Sequence, residues 1–327
     1  MNFVSDSEIA HAVEILRAGR LVAFPTETVY GLGADTSNPA ALHRLYEAKG
    51  RPTSHPVIVH VRGASDLPRW AREVPPVALR LTERFWPGPL TLVLKRAAGV
   101  LDQVTGGEDT VGLRAPAHPV AQRLLQAFSG GIAAPSANRF GRLSPTTAQH
   151  VLDELGNAVD LVLDGGACEV GIESTIIDLS SGTPVLLRPG RIGTAEIEAV
   201  LGLRLAQRTS ASPRAPGTLA AHYAPRTPLV LAGVTDLERV VREQAPFGPV
   251  AVLAFHPQPP DSRVAVWQFA ATAAKTYAHD LYALLRALDS SGYARIVVEA
   301  PPARAEWDAV RDRLMRAAAG SGGANGT

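Results

Sequence analysis

Two series of alternating strand-like and helix-like runs, separated by an aperiodic stretch, constrain this chain most. In the first series "RLVAFP" (20–25), "PVIVHV" (56–61), "PLTLVLKR" (89–96), "TVGLRAP" (110–116), "DLVLDGG" (160–166), "ESTIIDL" (173–179) and "PVLLRPG" (184–190) read as strands. "NPAALHRLYEAKG" (38–50), "PPVALRLTERF" (75–85), "SPTTAQHVLDELG" (144–156) and "TAEIEAVLG" (194–202) read as helices. Asn38 and Pro39 open the first of these and Gly50 closes it; Ser144 or Pro145 is expected to open the third. At the N-terminus Ser5 and Glu8 have capping-box spacing, and Ile9, Val13 and Leu16 share a face, so this stretch reads as a helix and not as a signal peptide.

Residues 206–228, "AQRTSASPRAPGTLAAHYAPRTP", show no period and are rich in Ser, Pro and Ala, which suits an interdomain linker. Beyond it "PLVLAG", "PVAVLAF", "VAVWQF" and "ARIVVEAP" alternate with "DLERVVREQ", "TAAKTYAHDLYALLRALDSSG" and "EWDAVRDRLMRAAA". That pattern predicts a small, largely parallel α/β domain. At 327 residues two domains are expected. The division is 1–205, a linker at 206–228, 229–319, and a disordered tail at 320–327.

Composition narrows the function. A formal net charge of +1 gives no global basic field for nucleic acid. The single cysteine, Cys168, rules out an intrachain disulfide and a multi-cysteine zinc site, and suits a cytoplasmic protein. No apolar run approaches membrane-spanning length. No G-x-x-x-x-G-K-[ST], G-x-G-x-x-G opening a helix, H-E-x-x-H or G-x-S-x-G is present, so any nucleotide site is built differently.

Five strand-end stretches, 24–35, 48–56, 112–116, 134–146 and 171–190, are polar where plain connectors would serve. They carry Thr26, Thr28, Lys49, Arg51, Arg114, Ser136, Asn138, Ser144, Ser174 and Arg188. Hydroxyls beside four cations suit phosphate or carboxylate groups at the strand ends of an α/β sheet. Each residue also has a plainer reading. Lys49 and Arg51 follow a helix C-terminus, where cations meet the dipole. Arg114 fits an edge salt bridge, His60 a core histidine, Ser174 a strand position, and Glu173 a partner for any cation.

The ordered set "PTETVYGLG", "KGRP…P.IVH", "WPGPLTLVL", "VGLRAP", "APSAN.FG..SPT", "ESTIIDL" and "LLRPG" resembles the YrdC-like domain of threonylcarbamoyl-AMP synthases over roughly residues 8–203. "APGTLAAHYAP" and "WDAVRDRLMRAA" resemble the linker and the end of the second domain in two-domain members. The resemblance implies a twisted mixed-sheet YrdC-like domain with a concave basic cavity, followed by a smaller Rossmann-like α/β domain, with the linker as an active-site lid. It implies synthesis of threonylcarbamoyl-AMP and pyrophosphate from L-threonine, bicarbonate and ATP, with Mg²⁺ accompanying the ATP and no protein metal ligand. The product would pass to a separate tRNA threonylcarbamoyl transferase complex, without stable tRNA binding. Carried over, Thr28, His60, Arg114, Ala134 and Ser174 would form the threonine pocket. Lys49, Arg51, His55, Thr110, Ser136, Asn138, Ser144, Arg188 and Tyr223 would bind ATP, and Lys49, Arg51 and Arg114 would be catalytic. Many relatives read Asp-Asn-Pro where this chain has Ser54-His55-Pro56. A carbamoyltransferase using carbamoyl phosphate and an RNA-binding module are the competing readings.

Overall fold

The structure, a computed structural model, describes residues 4–258 and 264–322. Contacts divide the chain into two units: Met1–Phe140 with Ser144–Thr218, and Gly141–Leu143 with Leu219–Thr327.

The first unit is built on a mixed sheet with ten strands among the described residues. They are β1 (Val22–Phe24), β2 (Gly31–Asp35), β3 (Ile58–His60), β4 (Leu90–Lys95), β5 (Thr110–Arg114), β6 (Ile132–Ala133), β7 (Leu161–Val162), β8 (Thr175–Asp178), β9 (Val185–Arg188) and β10 (Ala206–Gln207). Their order is β10-β9-β8-β4-β5-β3-β6-β2-β1-β7. β3 pairs with β5 in parallel, placing His60 opposite Arg114, and with β6 antiparallel, placing His60 opposite Ile132. The centre of the sheet is sealed by apolar side chains such as Val59, Leu92, Leu113 and Ala133, so the polar residues on its strands are held against a rigid core.

The helices follow their local signals. Ser5 and Glu8 form the capping box of the helix Asp6–Arg17, which buries Ile9, Val13 and Leu16. Asn38 Oδ1 accepts from the amides of Ala40 and Ala41, and Gly50 in the left-handed region (φ 61°) stops the helix Pro39–Lys49. Among the elements not legible in the sequence are β2, β6 and the helix Pro119–Phe128. β2 holds Gly31 and Gly33, which locally favour a turn, yet those glycines admit the close strand pairing. A Cβ on Gly33 would sit 2.9 Å from Phe24 Cε1 and 3.0 Å from the Val22 carbonyl. β6 is only two residues long, and the helix Pro119–Phe128 opens on His118, whose Nδ1 accepts from the amide of Val120. The third expected helix also starts later than predicted. Thr147, not Ser144 or Pro145, caps Ala148–Leu155, because the Ser144 hydroxyl is committed to Glu173.

The second unit holds β11 (Leu229–Ala232), β12 (Val250–Ala254), β13 (Val266–Phe269) and β14 (Arg295–Glu299), all parallel, in the order β11-β14-β12-β13. Helices Leu237–Gln244, Ala274–Ser290 and Asp308–Gly320 accompany it. Of the tail expected at 320–327, Gly320 closes the last helix and residues 323–327 lie outside the described residues. Among the described residues no helix is long and apolar enough to cross a membrane.

Candidate active site

The expected site residues of the first unit come from the β1–β2 loop, the end of the helix Pro39–Lys49, and the ends of β3, β5, β6, β8 and β9 with the loops they feed. The segment 134–146 is laid against 28–32 by backbone bonds. Leu32 N donates to Pro135 O (2.7 Å), Tyr30 N to Pro145 O (2.9 Å) and Ala137 N to Tyr30 O (2.8 Å). Ala134 N donates to Ile58 O (3.0 Å), which fixes Ala134 beside β3.

Lys49 is buried in the last turn of its helix, and its Nζ donates to the carbonyls of Ser136 and Asn138. Burial, then the neighbouring Arg51 charge, holds its pKa well below the usual lysine range, against an opposing pull from Glu154. Arg51 Nη2 donates to Pro56 O (2.7 Å), and its guanidinium lies 5.4 Å from the Phe140 ring centre. The His55 ring meets the same phenylalanine edge-on at 5.3 Å; burial, then Arg51 and Arg214, lowers its pKa. Lys49, Arg51, His55, Ser136 and Asn138 therefore form one connected group. Thr110, half-buried, begins β5, about 13 Å along the strand from Arg114.

His60 is 3% exposed, its Nδ1 has no hydrogen-bond partner among the described residues, and its ring meets Phe24 edge-on at 5.9 Å. Burial, then the Arg114 charge, pushes its pKa well below the ordinary histidine range, so the ring is neutral near pH 7. Arg114 is buried; its Nη2 donates to Glu27 Oε1 (2.7 Å) and its Nε to Gly88 O (3.3 Å). Both bonds use the Nε and Nη2 edge of the guanidinium, and among the described residues its Nη1 meets no protein acceptor. Thr28 is sealed, with its hydroxyl 2.8 Å from that of Thr26. Ser174 Oγ lies 2.8 Å from Thr91 Oγ1 and accepts from Arg188 Nη2 (3.1 Å). Arg188 also donates to Ser174 O through Nε (3.1 Å) and Nη2 (2.9 Å), and through Nη1 to Pro216 O (3.0 Å). Ser144 Oγ donates to Glu173 Oε1 (2.5 Å).

Pro216 belongs to the stretch read as a linker, and residues 206–218 lie on the first unit. Ala206 and Gln207 pair with Val185 and Leu186, Ala215 packs with Ile58, Val93 and Ile176, and Arg214 engages Glu108 and Gly106 O. Tyr223 falls in the second unit. It is buried at φ 58°, with His222 at 4.2 Å, Tyr282 at 5.9 Å and the Arg313 guanidinium at 5.1 Å.

Sequence reading missed Glu27 and Thr91, and gave Glu173 any cation as its partner where the structure sets the Ser144 hydroxyl on it. Each is recognised only through a residue far away in the chain, so no local pattern marks it. Chemically, Arg51 and Arg188 carry charges suited to phosphate oxygens and Arg114 one suited to a carboxylate, while Lys49 is held on two backbone carbonyls with its pKa lowered. Among the described residues no three His, Cys, Asp or Glu side chains gather where a metal ion could sit.

A family model described as "Telomere recombination" (Sua5, YciO, YrdC) matches residues 14–190, and one described as "Threonylcarbamoyl-AMP synthase, C-terminal domain" matches residues 192–319. The threonylcarbamoyl-AMP synthase of Bacillus subtilis is 38% identical over 97% of this chain and 94% of its own length. That of Pyrococcus abyssi is 44% identical over 70% of this chain and 68% of its own. A crystal structure of P. abyssi Sua5 complexed with L-threonine superposes with a TM-score of 0.89 at 36% identity, covering 98% of this chain and 96% of that one.

Proposed function

The chain belongs to the threonylcarbamoyl-AMP synthase family, nucleotidyl-transferring enzymes, and from that membership we propose that it makes threonylcarbamoyl-AMP from L-threonine, bicarbonate and ATP. The observation that carries this reading is the pairing of His60 with Arg114 on adjacent strands, where a neutral ring whose Nδ1 has no partner among the described residues sits next to a guanidinium held through Nε and Nη2. A small amino acid with a carboxylate fits such a pocket, and the solved P. abyssi relative is described as complexed with L-threonine.

The threonine carboxylate meets Arg114, with Thr28, His60, Ala134 and Ser174 enclosing the rest. ATP lies toward Lys49, Arg51, His55, Thr110, Ser136, Asn138, Ser144 and Arg188, and we assign Tyr223 to the ATP set through the resemblance of its linker motif. The threonine amine attacks the carbon of bicarbonate or its CO2 equivalent, giving a carbamate with loss of water. A carbamate oxygen then attacks the α-phosphorus and pyrophosphate leaves. No protein nucleophile is required. The reactants are strongly anionic, so the chain's contribution is to hold them together with fixed cations and to exclude water. The donor set is cationic rather than carboxylate-rich, which fits Mg²⁺ held by ATP phosphates and water. The linker 206–228, whose first part, the half-linker 206–218, is tied to Arg188, serves as the lid over a labile intermediate. The product supplies the threonylcarbamoyl group for tRNA modification by a separate transferase complex.

The test is pyrophosphate release from ATP and Mg²⁺ with threonine and bicarbonate each present or omitted. Release that requires both is expected. Release that requires neither, or that carbamoyl phosphate supports instead, overturns the reading.

A further inference from the structure

Glu27 grips Arg114 from one side and the backbone beyond it from the other. Its Oε1 accepts from Arg114 Nη2 at 2.7 Å, and its Oε2 accepts from the amide of Ala117 at 2.9 Å. Its own carbonyl accepts from Val170 N at 2.7 Å, so the residue is fixed at both ends. Gly88 O takes the Arg114 Nε, and Gly88 N donates to Ala115 O, which closes the same edge of the guanidinium. Glu27 is 6% exposed and Arg114 4%. A carboxylate bridging a guanidinium and a backbone amide leaves the arginine one orientation. It also cancels a charge that would otherwise draw in any anion.

We propose that Glu27 is a positioning residue that sets both the angle and the net charge of the Arg114 anion site, so that the site takes one amino-acid carboxylate and refuses multiply charged oxyanions such as phosphate. This rests on the threonine-pocket reading of Arg114. With Glu27 ionised and Arg114 cationic, the buried pair is neutral, and His60 beside it adds no charge. An amino acid is neutral overall and enters such a site without leaving an uncompensated charge. A phosphate dianion does leave one, and burying it is costly. Discrimination matters here because ATP, pyrophosphate and bicarbonate are all present during turnover. Glu27 also lines a cavity of about 350 Å³ with Gly88 and Ala117, and Glu27→Gln keeps the side-chain volume while turning one of its two acceptor oxygens into a donor.

The experiment is calorimetric titration of the full chain with L-threonine, with and without inorganic phosphate, for the wild type, Glu27→Gln and Glu27→Asp, with melting temperatures as the check on folding. The wild type is expected to bind threonine indifferently to phosphate. Glu27→Gln should bind about tenfold or more weakly, the worth of one misaligned charge-assisted bond, and phosphate should now compete. Glu27→Asp keeps the charge but cannot span Arg114 and Ala117, so threonine should weaken while phosphate still fails to compete. A merely structural role for Glu27 does not move phosphate competition. Wild-type-like affinity and phosphate indifference in Glu27→Gln overturn the proposal; if that variant does not fold, wild-type-like affinity in Glu27→Asp does so. A wild type that binds no threonine removes the pocket reading itself, and this proposal with it.

Discussion

Arg188→Lys tests how the first unit holds the segment 206–218. Arg188 is buried and spans two places at once, with Nε and Nη2 on Ser174 and Nη1 on Pro216 O at 3.0 Å. A lysine ammonium is a point donor and cannot span both. It will stay with Ser174, because the buried carbonyl and hydroxyl there would otherwise lose their partner. The bond to Pro216 is then lost. A hydrogen bond from a charged donor is worth about 1.5–3 kcal/mol, which corresponds to a roughly 10- to 150-fold rise in the local opening equilibrium. The other anchors remain: the pairing of Ala206 and Gln207 with β9, the burial of Ala215, and Arg214 on Glu108. Opening should therefore be confined to the C-terminal part of the segment. Hydrogen exchange followed by mass spectrometry reads this directly, with faster exchange at 214–218 and none at β4 or β5. If the half-linker is the proposed lid, the variant should also release more AMP from ATP per threonylcarbamoyl-AMP formed. Unchanged protection at 214–218 would show that the Arg188–Pro216 bond does not hold the segment, and the lid role assigned to it would fall.

The buried imidazole gives a pH dependence of stability. The unfolded His60 titrates near the ordinary 6.5 and the folded one well below it, so between those values the unfolded chain binds the extra proton and unfolding becomes easier as pH falls below 6.5. His60→Gln should make that slope shallower by up to one proton, about 1.4 kcal/mol per pH unit, in urea unfolding measured from pH 7 to 5; an unaltered slope would show that His60 is protonated in the fold. Gly190→Ala places a Cβ 2.3 Å from Thr175 N and 2.5 Å from the carbonyl carbon of Ser174, so the backbone beneath Ser174 must shift. A loss of about 1–3 kcal/mol in denaturant unfolding, together with weaker threonine binding, is expected; a variant with wild-type values in both would refute the close approach.

What the sequence reveals and conceals divides along the range of the interactions. The helix Pro39–Lys49 is legible because Asn38, Pro39 and Gly50 act within a turn of where they stand, and that stop signal delivers Lys49 to its buried position. β2 is illegible because its glycines satisfy a distant demand, the approach of Phe24 and Ile132, that a local reading scores as a turn. The helix Pro119–Phe128 is capped by a histidine, which is a weak start signal. The site shows the same division. Its strand cations, Arg114 and Arg188, stand out in sequence because charge is improbable at the end of an apolar strand, and Lys49 and Arg51 stand out beside a helix stop that leads into a buried strand. Their restraints do not stand out, because Glu27 lies 87 positions from Arg114, and Ser144 lies 29 from Glu173. A guanidinium in a buried strand needs a counter-charge, so the presence of such a partner was implied, but its address was set by the sheet order. Strand order is a long-range property, and it is what sets a carboxylate from one loop beside a guanidinium from a distant strand.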